Sequence, residues 1–267
     1  MILYINDKDN RIVKLSNMAK KVNLFLSQRS SSSLVSYLKN HGIVIGEDVT
    51  FYGNLKQVSI DRTRPSLVKI GDHVKIVAPF ALITHGFEWT VFREKYRTII
   101  GSAGRIVIGN NVYFGRDCCV LKGTSIGNNV IVGAKSLINK DIPSDCVAAG
   151  IPAKKIMGLE EYFEKRKAAQ ISEALEYARS IYQVEERTPR PEDFFEFFPL
   201  FLNRDSKEIA DFNEKVSHLM TKRGRNPRTI QYQLGIAYDS FLNSEPYYSS
   251  FSEFLKDAGI PSPEKEN

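Results

Sequence analysis

The stretch IGNNVYFGRDCCVLKGTSIGNNVIVGAKSLINKDI (108–142) decides the fold, because an apolar side chain returns in it at every sixth residue. These residues are Ile108, Phe114, Val120, Ile126, Val132 and Ile138. The next position holds Gly109, Gly115, Gly127 and Gly133, four glycines in six places, where 17 glycines in 267 residues would put fewer than one. Four places after each apolar residue stand Val112, Cys118, Thr124, Val130, Ser136 and Ile142, all small or β-branched. A period of six fits neither an α-helix nor a plain strand. It fits a parallel β-helix, whose short strands form flat faces and whose tight corners join them. The every-sixth residue points into a narrow interior, and the adjacent glycine is expected to give the corner a positive φ.

The same phase runs upstream through Ile70, Ile76 and Leu82, with Gly71 beside the first, and more raggedly through Ile45-Gly46 and Phe51. The repeat region is therefore about 43–142, interrupted twice, within a domain of 43–157. QVSIDRTRPSLV (57–68) reads as a loop or an imperfect coil. THGFEWTVFREKYRTIIGSAGR (84–105) is an inserted loop carrying the only tryptophan, Trp89, and a loop of that length inside a strict repeat is usually functional. Residues 1–42 form an N-terminal cap, with a helical pattern in Met18, Val22, Phe25, Leu26, Leu34, Val35 and Leu38 that stops at His41-Gly42. Residues 158–267 carry no repeat and read as an α-helical domain. Its helices are LEEYFEKRKAAQISEALEYARSIY, NRDSKEIADFNEKVSHLMTKRG, PRTIQYQLGIAYDSFLN and SSFSEFLKDAG, the last opened by a capping box from Ser250 to Glu253.

Composition limits the classes of function. Hydrophobic residues make up 42% and charged ones 25%, as in a globular chain, and 37 basic against 31 acidic residues leave a net charge of +6. That charge permits a phosphate-rich cofactor or an anionic partner, but no nucleic-acid motif accompanies it. No apolar run is long enough to cross a bilayer, and MILYINDKDNR breaks off too early for a signal peptide. Three cysteines, two of them adjacent (Cys118, Cys119), match neither a disulfide framework nor a zinc motif, so a reducing, cytoplasmic location is expected. Of the four histidines, His41 precedes the repeat and His218 lies in the helical domain, so a three-histidine metal site with His73 and His85 is not expected. Cys118, in the small-residue column, reads as core packing.

GRIVIGNNVYFG and GTSIGNNVIVGAKSLINKDIPSDCVAAGIPAKKI closely resemble the hexapeptide-repeat acyltransferases, in particular the maltose/galactoside O-acetyltransferases and the enzymes that acetylate surface-polysaccharide sugars. The resemblance covers 43–157 and not the helical domain. It implies a mainly β fold, a left-handed parallel β-helix, and a homotrimer with active sites between subunits. It also implies acetyl-CoA as co-substrate, no metal, and a carbohydrate acceptor such as a capsular or other surface polysaccharide or its precursor. His85, at the end of a coil strand in ALITHGFEW, matches the catalytic histidine, which would take the proton of an acceptor hydroxyl as that oxygen attacks the thioester. Glu88 is the nearest acidic residue that could orient it; a backbone carbonyl could do the same. Asn54 and Trp89 are the candidates to face the acceptor. Along the path of pantetheine the resemblance points to Gly133 and Ala134 as positions of close backbone approach, and to Arg116 near the thiol end. Asn139, Lys140, Lys154 and Lys155 would lie toward the nucleotide phosphates.

Two rival readings share these residues: N-acetylation of a nucleotide-linked amino sugar, and a non-catalytic trimeric scaffold whose helices dock a partner. In the helical domain EDFFEFFPLFL (192–202) reads as core or a subunit contact. KRGRNPR (222–228) reads either as a solvated turn or as arginine forks for an anionic polysaccharide.

Overall fold

The structure is a computed structural model that describes residues 22–222, 224 and 226–261. The described chain forms two compact units divided after Phe163. In the first, each coil gives one strand to each of three sheets. One sheet holds β1 (Val44–Ile45), β4 (Val68–Ile70), β7 (Ile106–Ile108) and β10 (Thr124–Ile126). The second holds β2 (Thr50–Tyr52), β5 (Lys75–Val77), β8 (Val112–Phe114), β11 (Val130–Val132), β13 (Cys146–Gly150) and β14 (Ala153–Gly158). The third holds β3 (Val58–Ile60), β6 (Phe80–Ile83), β9 (Cys118–Leu121) and β12 (Leu137–Ile138). All pairings are parallel except β13 with β14. Ile106 pairs with Thr124, Val112 with Val130 and Val120 with Ile138, each three six-residue repeats on. The result is a left-handed parallel β-helix.

The repeat columns have the roles that their chemistry predicts. The six apolar residues from Ile108 to Ile138 are at most 2% exposed, and the column from Val112 to Ile142 at most 4%. The polar members of the second column are satisfied inside: Thr124 Oγ1 donates to the Leu121 carbonyl and Ser136 Oγ to that of Gly133. Cys118 is buried among them, and burial pushes its thiol up, as suits packing rather than nucleophilic chemistry.

The glycines correct the expectation made for them. None of Gly109, Gly115, Gly127 and Gly133 has a positive φ; that conformation falls two residues later, on Asn111, Asp117, Asn129 and Lys135. What excludes a side chain at the glycines is the next coil. A Cβ on Gly109 would stand 2.6 Å from the carbonyl oxygen of Gly127, and one on Gly115 would stand 2.6 Å from the nitrogen of Ala134. The two Asn-Asn pairs divide the corner's work. Asn128 Oδ1 accepts from the Asn110 amide at 2.7 Å, while Asn111 and Asn129 take the left-handed turn and join side chain to side chain at 2.9 Å.

The first interruption is an imperfect coil: β3 lies in register with β6, and only the segment after it departs, with a 3₁₀ turn at Pro65–Leu67. The second contains a helix, α2 (Trp89–Tyr96). Before the β-helix, residues 22–27 are helical and α1 (Ser31–Asn40) follows, with Ser30 as its N-cap. Leu34 and Leu38 of α1 are buried against the first coil, whereas Val22, Phe25 and Leu26 are exposed, so the cap pattern packs only in its second half. Met18 of that pattern lies outside the described residues.

The helical unit begins within α3 (Leu159–Val184) and continues with α4 (Ser206–Lys222), α5 (Ile230–Leu234), α6 (Tyr238–Leu242) and α7 (Phe251–Asp257). The single helix expected across PRTIQYQLGIAYDSFLN is broken at Gly235, whose φ is +52°. Phe194, Phe198, Leu200, Phe201 and Leu202 of EDFFEFFPLFL form its core. Ser250 accepts the Glu253 amide, but the Glu253 carboxylate reaches the amide of Ser249, one residue before the cap. Among the described residues no helix is long and apolar enough to cross a membrane.

Close coil contact makes a clear prediction. Gly109→Ala and Gly127→Ala are each expected to cost about 1–3 kcal/mol of unfolding free energy, through overpacking of backbone. Gly101→Ala, which points into open space, is expected to cost almost nothing. Asn at 109 distinguishes the two roles of glycine: it would rescue a position that needed positive φ, and it is expected to be no better than Ala. Urea unfolding measures all four variants.

Candidate active site

The site forms where the strands of the third sheet end. β3 and β6 run side by side, with Ile60 opposite Leu82, and the Asp61 amide donates to the Leu82 carbonyl at 3.0 Å. Residues 22 apart in the chain thus become neighbours, because adjacent strands lie about 4.8 Å apart. His85 follows at once and starts the insertion. Its backbone forms an antiparallel bridge with Ala103, the Gly86 amide donates to the Ser102 carbonyl, and the Gly104 amide donates to that of Thr84. The long insertion is therefore closed at a neck, and His85 is fixed by strand on one side and bridge on the other.

Asp61 Oδ2 lies 2.6 Å from His85 Nδ1 and also accepts from the Thr84 hydroxyl. Asp61 Oδ1 accepts from the Thr63 amide at 2.9 Å and from the Thr63 hydroxyl at 2.7 Å. The Asp61 side chain is 8% exposed and that of His85 15%. Burial pushes the Asp61 carboxyl up, but the hydrogen bonds from Thr84, Thr63 and His85 outweigh it and hold the group well below the usual carboxylate range. An ionised Asp61 only accepts, so His85 Nδ1 is the donor, and in the neutral ring Nε2 then keeps its lone pair. Such an arrangement can take a proton from a group that approaches Nε2.

The orienting acid is thus Asp61 and not Glu88. The Glu88 carboxylate is drawn away by Lys122, whose Nζ lies 2.6 Å from Oε1. The hydrogen bond from Lys122, joined by one from Ser102, lowers the Glu88 carboxyl to about 2. Lys122 also reaches the Ser102 hydroxyl, so the ion pair ties both sides of the neck to the next coil. Gly86 makes room for it, since a Cβ there would strike the Glu88 carboxylate. Trp89 opens α2. It connects with His85 through Phe87, whose ring meets the imidazole edge-on at 5.2 Å and lies 6.3 Å from the Trp89 ring.

The remaining candidates, apart from Lys154 and Lys155 on the second sheet, divide between two edges of the third. Asn139 and Lys140 follow β12 at the edge where β6 leads through Thr84 to His85, and both are exposed. Arg116, Gly133 and Ala134 stand at the opposite edge, in the corners that precede β9 and β12; there the Lys135 amide donates to the Arg116 carbonyl. Lys154 and Lys155 are exposed on β14, opposite Ala149 and Ala148, and Ala149 abuts Gly133. Asn54 also belongs to that far edge, where its side chain caps its own turn by accepting from the Lys56 amide. Within one chain, therefore, Asn54 and the Arg116–Gly133–Ala134 corner are not brought to His85.

Two of the other histidines are engaged elsewhere: His41 Nδ1 lies 2.7 Å from the Tyr37 carbonyl and His73 Nδ1 3.0 Å from Asp48. Among the described residues no three His, Cys, Asp or Glu side chains come together as a metal site. Asp61 was hidden in the sequence by the irregular first coil. The one signal was register: aligning Ile60 with Leu82 sets Asp61 against the residues that lead into His85.

Known proteins resemble the chain in its repeat region. The family model described as bacterial transferase hexapeptide (six repeats) matches residues 105–140. Protein CapG of Staphylococcus aureus is 36% identical over 172 residues, covering 63% of this chain and 92% of that protein. Galactoside O-acetyltransferase of Escherichia coli K12 is 34% identical over 111 residues, 42% of this chain and 52% of that one. A solved galactoside acetyltransferase in complex with coenzyme A aligns at 21% identity and a TM-score of 0.38, covering 55% of this chain and 82% of its own.

The buried carboxylate carries a pH signature. A depressed folded pKa means that Asp61 stabilises the fold fully above the ordinary carboxylate value, and that this contribution is lost as pH falls below it toward the folded value. Asp61→Asn is expected to cost about 1–3 kcal/mol near neutrality, the range for a buried hydrogen-bonded charge. The gap between wild type and variant should shrink between pH 5 and pH 3 (~1–2 units around the usual carboxylate value). Urea midpoints at several pH values test this, and a gap that stays constant would contradict it.

Proposed function

The chain belongs to the bacterial hexapeptide-repeat transferases, and on that footing we propose that it moves an acetyl group from acetyl-CoA to a hydroxyl of a carbohydrate. The acceptor in this reading is a capsular or other surface glycan, or its precursor. The observation that carries the reading is His85 held through Nδ1 by the buried carboxylate of Asp61, at the neck of the insertion. The name of the galactoside O-acetyltransferase relative supports the acetyl group and the sugar hydroxyl.

In the proposed reaction the acceptor hydroxyl gives its proton to His85 Nε2 as its oxygen attacks the thioester carbonyl carbon. The carbon–sulfur bond then breaks, and the departing thiolate takes the proton back from the imidazolium. The products are an acetyl ester and free CoA. Asp61 remains ionised throughout, orients the ring and stabilises the transient imidazolium, as a carboxylate does beside a catalytic histidine. Glu88 acts at a distance, by fixing the neck through Lys122.

The split of the remaining residues supports an oligomeric site. His85 and the corner of Arg116, Gly133 and Ala134 lie on opposite edges of one sheet, so a pantetheine that visits both sets does so between copies of the chain. We read the assembly as a homotrimer, with Gly133 and Ala134 allowing close approach of backbone to the ligand. Asn139, Lys140, Lys154 and Lys155 are then available to the nucleotide and its phosphates, the lysines as point charges.

Thiol release from acetyl-CoA, measured with a panel of mono- and oligosaccharides, tests the proposal. Acceptor-dependent release is expected, with His85→Ala lowering kcat by about 10²–10⁴-fold, the usual contribution of a general base. Asp61→Asn is expected to lower kcat within that range while leaving KM for acetyl-CoA nearly unchanged. Sedimentation is expected to give three chains. Turnover that survived His85→Ala would refute the base, and a chain that neither bound acetyl-CoA nor released thiol would be a scaffold.

A further inference from the structure

The insertion presents an aromatic row that the proton transfer does not use. Phe87 lies two residues after His85 and is 65% exposed, a costly state for a phenyl ring beside a half-buried tryptophan. Its backbone is nevertheless held firmly. The Phe87 carbonyl accepts from both the amide and the hydroxyl of Thr90, and the next residue, Glu88, is anchored to Lys122. The ring therefore stays beside the imidazole. The row goes on to Trp89, whose ring lies 5.7 Å from the guanidinium carbon of Arg93, and Arg93 in turn pairs with Glu94 at 2.8 Å.

We infer that Phe87 and Trp89 are successive stacking faces for the acceptor, and that the acceptor is an oligosaccharide of at least two pyranose rings rather than a single sugar. The inference rests on the carbohydrate reading above and extends it to the size of the acceptor. A pyranose has an apolar face of C–H groups and a rim of hydroxyls, so it suits a flat aromatic surface edged by polar groups. A ring stacked on Phe87 is kept beside His85, with one of its hydroxyls directed at Nε2. The neighbouring ring of the same chain then falls toward Trp89, where the Arg93–Glu94 pair offers donors and acceptors to its rim. Phe87 is thus a positioning residue, and Trp89 is what makes a second sugar worth binding. Val91, Ile99 and Ile100, also exposed on the insertion, have no such link to His85 and are not part of the row.

Acceptors of one, two and three rings in the gluco and galacto series, assayed with the intact chain, test this. The wild type is expected to prefer two and three rings over one by about tenfold in kcat/KM, the scale of one good aromatic contact. Phe87→Ala is expected to lower kcat/KM about tenfold for every acceptor length, with Phe87→Trp restoring it and Phe87→Leu failing to. Trp89→Ala is expected to abolish most of the preference for longer acceptors. KM for acetyl-CoA and the sedimentation mass should stay the same in all variants. Full rescue by Leu, equal turnover of all lengths by the wild type, or a changed mass would each overturn the inference, the last by showing that the row belongs to a subunit contact. Absence of any acceptor-dependent turnover in the wild type would instead remove the transferase reading beneath it.

Discussion

Successive coils touch backbone to backbone at the Ile-Gly corners, and everything else in the first unit depends on that contact. At Gly71, Gly109 and Gly127 an added Cβ would stand within 2.7 Å of backbone atoms one coil on. Parallel strands can stay in register only if the corners stack as tightly as the strands, which lie about 4.8 Å apart. The glycines allow the stacking, the asparagine pairs cap and turn the corners, and the inward residues fill the interior that results. Because each coil's backbone bonds to the next, each coil can carry an insertion at a corner without loss of register. That is how the excursion between Thr84 and Gly104 departs after β6 of the third sheet and rejoins the coil at β7 of the first.

The same stacking explains the chemistry. Asp61 and His85 meet because they end neighbouring strands of one sheet, and Lys122 meets Glu88 because it ends the next strand along. Three consecutive coils thus supply the carboxylate, the imidazole and the ammonium that pins the insertion. The acid stays ionised because Thr63 and Thr84 supply donors in a place that burial alone would make hostile to charge. In the proposed reaction the acting groups all stand at coil edges, and the columns between them hold those edges in order.

The inward columns were legible from the sequence because the six-residue period repeats without error from Ile108 to Ile142, and burial follows it residue by residue. The glycines were legible as corners but not as to cause: sequence shows a missing side chain, and only the fold shows what occupies its place. His85 stood out by resemblance, its partner did not. In the sequence Glu88 is the near acid, three residues away, whereas the coil brings a carboxylate from 24 residues away and a lysine from 34 residues away takes Glu88. Likewise GAKSLINK reads as one continuous stretch, yet its first residues stand at one edge of the third sheet and its last at the other. The break at Gly235 is the reverse case, a local residue overriding a helical pattern.

Asp61 is placed to set the tautomer of His85, and nitrogen-15 NMR of the histidine side chains tests that role. Long-range correlations from the carbon-bound ring protons report which nitrogen carries hydrogen in the neutral ring. A protonated Nδ1 and a bare Nε2 are expected for the neutral ring of His85, with the Nδ1 proton shifted far downfield by its carboxylate partner and that shift lost in Asp61→Asn. A neutral His85 that carries its proton on Nε2 would contradict it, because the nitrogen turned toward the acceptor would then have no lone pair to offer.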